Sequence, residues 1–455
     1  MDKKALMEKL AREAYEKGSF NGTWLYAENG EIVSKGALGW VDAENTLPMQ
    51  EDTIFEMASI TKMFTATAIM LLVREGKLEL DEELTAIFPE YPYPGVTVRH
   101  LLTHTSGIPD FDVEELVTEV REQVGHIPSN SSVFNAICAR KEKPRCAPGE
   151  EFCYSDIGYT MLAHTVETVS GMPFEDFVKK NIFEPAGMKD SGIYHTRRDG
   201  RPSDRFARNM VLENDAFVPS GLSKYAGYVV GSDGLNGCDY LYTTIFDMFA
   251  WDKALREEKV LTLKEQQIMY TPGVVNNGEA AGADEDDDGY AFGWEIATEP
   301  ENGFIVRHGG GMPGLETWFE RFVDKNRVLV VLDCRDYADA RVFDGLLSGF
   351  EAIARDKEPE PIVSIEDIAI KDPDKSKWES FCGKYEHPED GDFIIDEVFM
   401  QDGELYANAV DDEGDDLTFR LYPIGENTFG RKGGMIRLTF TEGCVTYGEN
   451  TCKKL

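Results

Sequence analysis

Between Ser59 and Val73 the sequence commits to one kind of element. Met63, Phe64, Ala66, Ala68, Ile69, Met70, Leu71, Leu72 and Val73 put apolar side chains on nearly every face of a helix, and a helix that is apolar all round is buried all round. Arg74, Glu75 and Gly76 end the run too soon for it to cross a bilayer, so a large domain has to close around it. At its head stands Ser59-Ile60-Thr61-Lys62. A hydroxyl and an amine three residues apart share one helix face. In the first turn Ser59 meets free N–H groups and the positive end of the helix dipole, which favour a developing negative charge. An apolar wall disfavours the Lys62 ammonium and makes its amine a base. The same residues also read as an N-cap serine beside a snorkelling lysine, and the pair alone leaves both readings open.

At 455 residues the chain exceeds what one core normally holds, so a large domain and a smaller one are expected. Its 84 acidic against 46 basic residues, a net charge of −38, argue against nucleic acid and anionic membrane surfaces as partners, since both repel it. Met1 to Leu10 has neither an uninterrupted apolar stretch nor a small-residue cleavage site and reads as an amphipathic surface helix. The expectation is no secretory signal, no membrane span and a cytoplasmic protein. Cys138, Cys146 and Cys153 lie close in sequence, but no C-x-x-C spacing occurs and reduced thiols are expected for all eight cysteines.

Thr23–Ala27, Asn29-Gly30 and Ile32-Val33 predict a tight β-hairpin ahead of the helix. Val98 opens a short helix that ends in a loop at Gly107-Ile108-Pro109. Its His100 and His104 lack a third ligand at a recognisable spacing and are expected to pack and hydrogen-bond. From 110 to about 188 the pattern is helical with loops, and Tyr154-Ser155-Asp156 falls in one of the loops. Thr244 and Asp247 predict a capping box that opens a helix to Leu255. Glu279–Asp288 reads as a solvated acidic loop without chemistry. Strands are expected at Ala291–Ile296, at Phe304–Val306 and, paired across Asp324-Lys325-Asn326, at Thr317–Phe322 and Val328–Leu332, followed by a helix over 335–355. The stretch from Asp356 to about Lys377, charged and carrying Pro359, Pro361 and Pro373, reads as a linker. Beyond it, segments separated by Gln401-Asp402-Gly403, Asp411-Asp412-Glu413-Gly414 and Gly425-Glu426-Asn427 predict an antiparallel meander or small barrel.

Three motifs in this order, Ser59-Ile60-Thr61-Lys62, Tyr154-Ser155-Asp156 and His308-Gly309-Gly310-Gly311, resemble those of the penicillin-binding-protein-like serine hydrolases. That broad family holds class C β-lactamases, D-aminopeptidases and related esterases. Phe55–Lys62, His100–Pro109, Ile182–Met188 and His308–Gly314 add to a likeness that covers roughly residues 20–355. Tyr337-Ala338-Asp339 and Tyr406-Ala407-Asn408 fit the same loose tyrosine pattern, but they follow His308 and packing suffices for them.

The resemblance implies an α/β fold, an α+β sandwich. A β-lactamase/transpeptidase-like antiparallel sheet flanked by helices, with an inserted helical subdomain, would occupy residues 1–355, and a small C-terminal antiparallel β-domain 356–455. Ser59 would be the nucleophile that forms an acyl-enzyme. Lys62 would take its proton, alone or with Tyr154, and Tyr154 would protonate the leaving group and then help to activate water. The N–H groups of Ser59 and Gly311 would hold the oxyanion. Asp156, His308, Gly309 and Gly310 would bind the substrate, and glycine would be needed at 309–311 because a Cβ would obstruct the strand's approach to the acyl group. The resemblance implies no cofactor and no metal. Its implied partner is a small-molecule substrate, and the oligomeric state stays open.

Two positions depart from the best-known members. His308 stands where β-lactamases carry lysine, and a largely neutral imidazole attracts a substrate carboxylate less than an ammonium does, which disfavours β-lactams. Asp156 replaces the usual asparagine and adds a negative charge, expected within a few ångströms of Lys62, where it raises the lysine's pKa. Acylation then has an alkaline optimum unless a cationic substrate amine takes up the charge. The function expected is hydrolysis of an ester or small amide, D-amino-acid-containing ones included. β-Lactamase or D,D-carboxypeptidase activity, and a catalytically silent scaffold of the same fold, are the alternatives.

Overall fold

A computed structural model describes residues 1–109, 111–213, 216–387, 394–410, 416–432, 436–448 and 450–455, which fall into two compact units. The first comprises Met1–Glu8, Asn21–Asp336 and Ala354–Asp356. Its frame is an antiparallel sheet of β1 (Gly22–Glu28), β2 (Glu31–Leu38), β3 (Gly289–Tyr290), β4 (Glu295–Glu299), β5 (Gly303–Met312), β6 (Leu315–Phe322) and β7 (Arg327–Asp333). The strand order is β2-β1-β7-β6-β5-β4-β3. Two hairpins sit where the sequence puts them, turning at Asn29-Gly30 and before Arg327. The order explains a sequence pattern: β7 is central and buried on both faces, so Val328–Leu332 runs apolar without alternation.

The expected strand Ala291–Ile296 is interrupted instead. Gly293 takes φ +75°, and a Cβ there would lie 2.7 Å from the Lys62 and Met63 backbone. That bend separates β3 from β4 and lays the chain against the start of the buried helix.

This helix is α1 (Thr61–Arg74), buried from Thr61 to Leu72, with Phe64 packed on Phe183 and Trp251 at ring-centroid distances of 5.6 and 4.9 Å. Its start differs from the sequence expectation. Ala58–Ile60 form a 3₁₀ turn and the α-helix begins at Thr61, so Ser59 precedes the helix proper. Between β2 and β3 the chain adds the helical part, including α2 (Val98–Leu102), α3 (Asp156–Ser170) and α4 (Ile245–Arg256). Thr244 caps α4 by accepting the Asp247 N–H. The Asp247 carboxylate, however, accepts from the Asp190 N–H and the Ser191 hydroxyl, so the expected box is half formed.

The second unit comprises Lys9–Phe20, Tyr337–Ile353 and Lys357–Leu455. Leu10 and Pro359 lie over Gly349, and Ile362 over Gly345. Ile362 and Ile365 are buried, within the proline-bearing stretch that the sequence presents as a linker. Two meanders follow. A four-stranded sheet (Gly383–Lys384, Ile394–Gln401, Glu404–Val410, Asp416–Arg420) and a five-stranded one (Tyr422–Pro423, Thr428–Gly430, Arg437–Thr441, Cys444–Tyr447, Asn450–Lys453) share a core that includes Trp378, Phe381, Leu405, Phe429 and Phe440. Backbone bonds from Glu386 to Lys453 and from Leu455 to Lys384, each 2.8 Å, join the first strand of the four-stranded sheet to the last strand of the five-stranded one in a barrel-like closure. The predicted turn Asp411–Gly414 lies outside the described residues. All eight cysteines are free thiols. No helix among the described residues is long and apolar enough to cross a membrane.

Candidate active site

The turn that carries Ser59 is held from several sides. Upstream, the buried Glu56 carboxylate accepts from Arg197 Nη1 at 2.9 Å, Asn209 Nδ2 at 2.8 Å and the Tyr242 hydroxyl at 3.1 Å, and pairs with Arg197 Nη2 at 2.8 Å. A buried carboxylate is tolerated only with such a set of donors. Met57 donates its N–H to Leu241 O (2.8 Å), and its carbonyl accepts from the Thr317 hydroxyl (3.0 Å), which also lies 3.1 Å from Gly310 O. A Cβ on Gly310 would stand 2.3 Å from Met57 O and 3.2 Å from Ser59 N, so β5 passes the turn only because Gly310 has none. On Gly311 a Cβ would make ordinary contact with Glu316 at 3.5 Å. The close-approach requirement therefore falls on Gly310 and not on Gly311. Pairing of β5 with β4 ends at Arg307, whereas pairing with β6 runs on to Met312. Ala58, just before Ser59, takes φ +44°, a strained conformation for a residue with a Cβ.

Lys62 is fully buried. Its ammonium donates to Ser59 Oγ at 2.9 Å and to Asp156 Oδ1 at 2.5 Å, and lies 3.5 Å from Cys238 O. Burial opposes its charge, but Asp156, followed by Tyr154, Asp239 and Cys238, outweighs burial and holds Lys62 protonated well above the ordinary lysine range. The lowering expected from the apolar wall is thus reversed by the carboxylate. Tyr154 places its ring centroid 4.8 Å from Lys62 Nζ. Burial pushes its phenol up to about 12, against the pull of the Lys62 charge and of hydrogen bonding with Lys62 and Ser59. Tyr154 exposes 42% of its surface and the Asp156 side chain 32%, so these two meet solvent.

Two histidines brace this centre. Cys153 N–H donates to His104 O at 2.7 Å and Ser155 N–H to His104 Nδ1 at 2.9 Å, so one residue grips the backbone on both sides of Tyr154. The His104 and Tyr154 rings lie 4.2 Å apart. Because Nδ1 accepts, the neutral ring carries its proton on Nε2; burial, then the Lys62 charge, keep it neutral. Ser155 in turn caps α3 by accepting the Gly158 N–H at 3.1 Å. His308 donates from Nδ1 to Gly309 O and accepts at Nε2 from the Tyr290 hydroxyl at 2.9 Å. Burial and Lys62 lower its pKa to about 4. The imidazole is neutral, as its sequence position suggests, but both nitrogens are engaged. Held in this way, His308 braces β5.

Ser59, Lys62, Tyr154 and Asp156 come together with Gly310 as the motif order implies, while Tyr290, Thr317 and Asp239 carry no motif, and His104 lies in the stretch His100–Pro109 to which the likeness assigns no role. Asp239 is 5% exposed and lies beside Asp156; burial first, and then Asp156, push its carboxyl up to about 7. His100 closes a capping box with Thr97, and with the His104 clamp this shows the pair hydrogen-bonding. Two clusters bring metal-type donor atoms within 4.8 Å of one another, Cys146 with Glu151 and Cys153, and Asp156 with Cys238 and Asp239; the second already receives the Lys62 ammonium on Asp156.

Known proteins resemble this chain in sequence and in fold. Penicillin-binding protein 4* of Bacillus subtilis (strain 168) is 29% identical over 444 residues, which span 97% of this chain and 94% of that protein. Esterase EstB of Burkholderia gladioli is 30% identical over 250 residues, 44% of this chain and 61% of the esterase. The crystal structure of a penicillin binding protein from Bacillus halodurans superposes with a TM-score of 0.64 at 26% identity, covering 76% of this chain and 99% of that one. The Beta-lactamase family model matches residues 7–346, and the chain belongs to the beta-lactamase family.

Proposed function

We propose that the chain is a serine hydrolase that cleaves esters or small amides through an acyl-enzyme on Ser59. The observation that carries this reading is Lys62 Nζ, 2.9 Å from Ser59 Oγ and 2.5 Å from Asp156, at a turn against which Gly310 brings β5. Once deprotonated, Lys62 takes the Ser59 proton as Oγ attacks the carbonyl. The developing oxyanion lies between the N–H groups of Ser59 and Gly311, each worth about 3–4 kcal/mol. Tyr154, a neutral phenol beside both groups, protonates the leaving group and then assists the attacking water. Asp156, Gly309 and Gly310 flank the acyl group. The neutral His308 offers a substrate carboxylate no charge, which favours simple esters and amides over β-lactams. The similarity to an esterase supports the same class.

A fluorophosphonate probe tests the reading. The expected result is a stoichiometric adduct on the Ser59 peptide, absent from Ser59→Ala, with turnover of p-nitrophenyl esters or amino-acid anilides exceeding that of nitrocefin. Preferred turnover of nitrocefin would make the chain a β-lactamase, and an inert Ser59 would make it a scaffold.

A further inference from the structure

Nothing in the hydrolytic scheme uses the two thiols beside Tyr154. Cys146 and Cys153 bring their sulfurs within 4.8 Å of each other and of a Glu151 carboxylate oxygen, and the two thiols are hydrogen-bonded. The residues between them explain the meeting. Ala147-Pro148-Gly149-Glu150 turns on a bond from Glu150 N–H to Ala147 O at 3.0 Å, with Gly149 at φ +78°, as the third residue of a type II turn requires. The chain doubles back and sets residue 153 beside residue 146. The turn is pinned from outside: Asn276 donates its N–H to Gly149 O at 2.6 Å and its side-chain amide to Pro148 O at 3.2 Å. Both cysteines are also tied to the stretch that carries the clamp on Tyr154. Cys146 N–H donates to Gly107 O at 3.4 Å and Cys153 N–H to His104 O at 2.7 Å. Both are only half-buried, so a small oxidant reaches them.

We infer that Cys146 and Cys153 form a modification site: a low-molecular-weight disulfide closes them into a bridge, and the bridge lowers turnover by displacing Tyr154. The effect on turnover rests on the serine hydrolase reading, whereas the bridge does not. The exchange balances in two steps. The Cys153 thiolate attacks one sulfur of the oxidant, whose other half leaves as a thiolate; the Cys146 thiolate then attacks Cys153 Sγ and expels the second half. The protein gives up two protons and two electrons, and the oxidant takes them up as two thiols. Burial raises both thiols above their ordinary value, and the Arg145 charge opposes it at Cys153, which favours Cys153 as the attacking thiol. Because neither thiolate is stabilised, the closed bridge resists mild reductants. A disulfide holds its sulfurs about 2.0 Å apart, so closure draws the two segments together. Cys146 yields little, since a Cβ on Gly107 would stand 2.4 Å from its carbonyl oxygen and 2.9 Å from its sulfur. The shift falls on Cys153, and Tyr154 is the next residue. Moving Cys153 loosens its bond to His104 O and carries the phenol away from Lys62 and Ser59.

The test treats the full chain with oxidised glutathione at mildly alkaline pH and digests it, unreduced, with a protease that cuts after glutamate. Cleavage after Glu150 or Glu151 parts the two cysteines, so fragments that stay joined until reduction identify the bridge. On a p-nitrophenyl ester the bridged chain should lose about ten- to a hundredfold in kcat with KM little changed, as a displacement of about 1 Å predicts. Dithiothreitol should restore it. Cys146→Ser should keep the natural kcat and not respond to the oxidant; because that variant can fail to fold, mapping and reversal on the natural chain carry the test by themselves. Thiols that stay free, glutathione retained on either cysteine, or a bridge to another cysteine in place of this one overturns the inference. So does a bridge that leaves kcat unchanged, or a loss of kcat that Cys146→Ser shares. A bridge in a chain with no turnover and an inert Ser59 overturns the hydrolase reading, and the modification site stands.

Discussion

Around Ser59 the first unit buries Lys62, Glu56, Arg197, Asp239, His104 and His308, and it holds Ala58, His104 and Tyr240 at positive φ. The second unit's barrel core is built from Trp378, Phe381, Leu405, Phe429, Leu438 and Phe440. Among the described residues its one non-glycine positive φ is at Asp402, in a hairpin turn where that conformation is ordinary. A strained residue costs on the order of 1–3 kcal/mol and persists only where surrounding structure over-determines it. Glu56 with its donors, Thr317 bridging Met57 and Gly310, and His104 gripping both sides of Tyr154 are such structure. The contrast teaches that the first unit gives up stability to arrange groups around one hydroxyl, whereas the barrel core gives up none. Substitutions should therefore separate into those that stop turnover with little effect on folding and those that do the reverse.

The largest effect belongs to the nucleophile. Ser59→Ala should lower ester turnover by a thousandfold or more while the thermal unfolding midpoint stays within a few degrees; Lys62→Ala should be nearly as severe, since groups that act as a unit do not contribute additively. Retention of more than about a hundredth of the activity in Ser59→Ala would place the nucleophile elsewhere.

Next comes His104, which touches no substrate in this scheme and acts through Tyr154. His104→Ala removes the acceptor of the Ser155 N–H and puts alanine at φ +54°. A misplacement of Tyr154 by about 1 Å should lower kcat by up to about a hundredfold with KM little changed. His104→Asn keeps a side-chain acceptor and tolerates the left-handed conformation, so it should recover part of the loss. Equal kcat in the alanine and asparagine variants would show that the clamp does not position Tyr154.

A smaller effect concerns pH. Lys62 must lose a proton to act as base, and Asp156 holds that proton on. On a neutral ester kcat/KM should therefore rise with pH as Lys62 deprotonates. In Asp156→Asn the raising charge is gone while burial remains, so the ascending limb should move to lower pH. An unmoved limb would show that Asp156 does not tune Lys62.

The residues around Ser59 differ in how far sequence alone exposes them. Ser59, Lys62 and Tyr154 are legible because their order and separations are distinctive, and the need for glycine at 310 follows from chemistry. The hairpin at Asn29-Gly30 and the β6–β7 pair are legible because turn residues and alternation act locally. Asp239 and the His104 clamp are not, since each acquires its role from segments that meet only in the fold: His104 is 51 residues from Ser155. Where local rules failed, a tertiary contact overrode them. Gly293 breaks an apolar run because the chain must bend against Lys62, and Asp247 leaves its capping box for Ser191 and Asp190. The sign of the Lys62 shift needed both terms, since the apolar wall and Asp156 act in opposite directions and their balance depends on a distance.

The smallest effect on catalysis should come from the barrel, and it bears most directly on the contrast. Phe429 is fully buried, with ring centroids of Trp378, Phe381 and Phe440 at 5.6, 6.1 and 5.6 Å. Removing a ring so enclosed leaves a cavity that neighbours fill incompletely, so Phe429→Ala should destabilise the second unit by about 3–5 kcal/mol. None of the groups assigned to the chemistry lies in that unit, so kcat per fluorophosphonate-labelled Ser59 should be unchanged at temperatures where the variant is folded. Calorimetry with active-site titration measures both quantities on one sample. If kcat per labelled site falls with the melting temperature, the barrel supports the geometry of the Ser59 turn, and the separation between a unit arranged for chemistry and one arranged for stability fails.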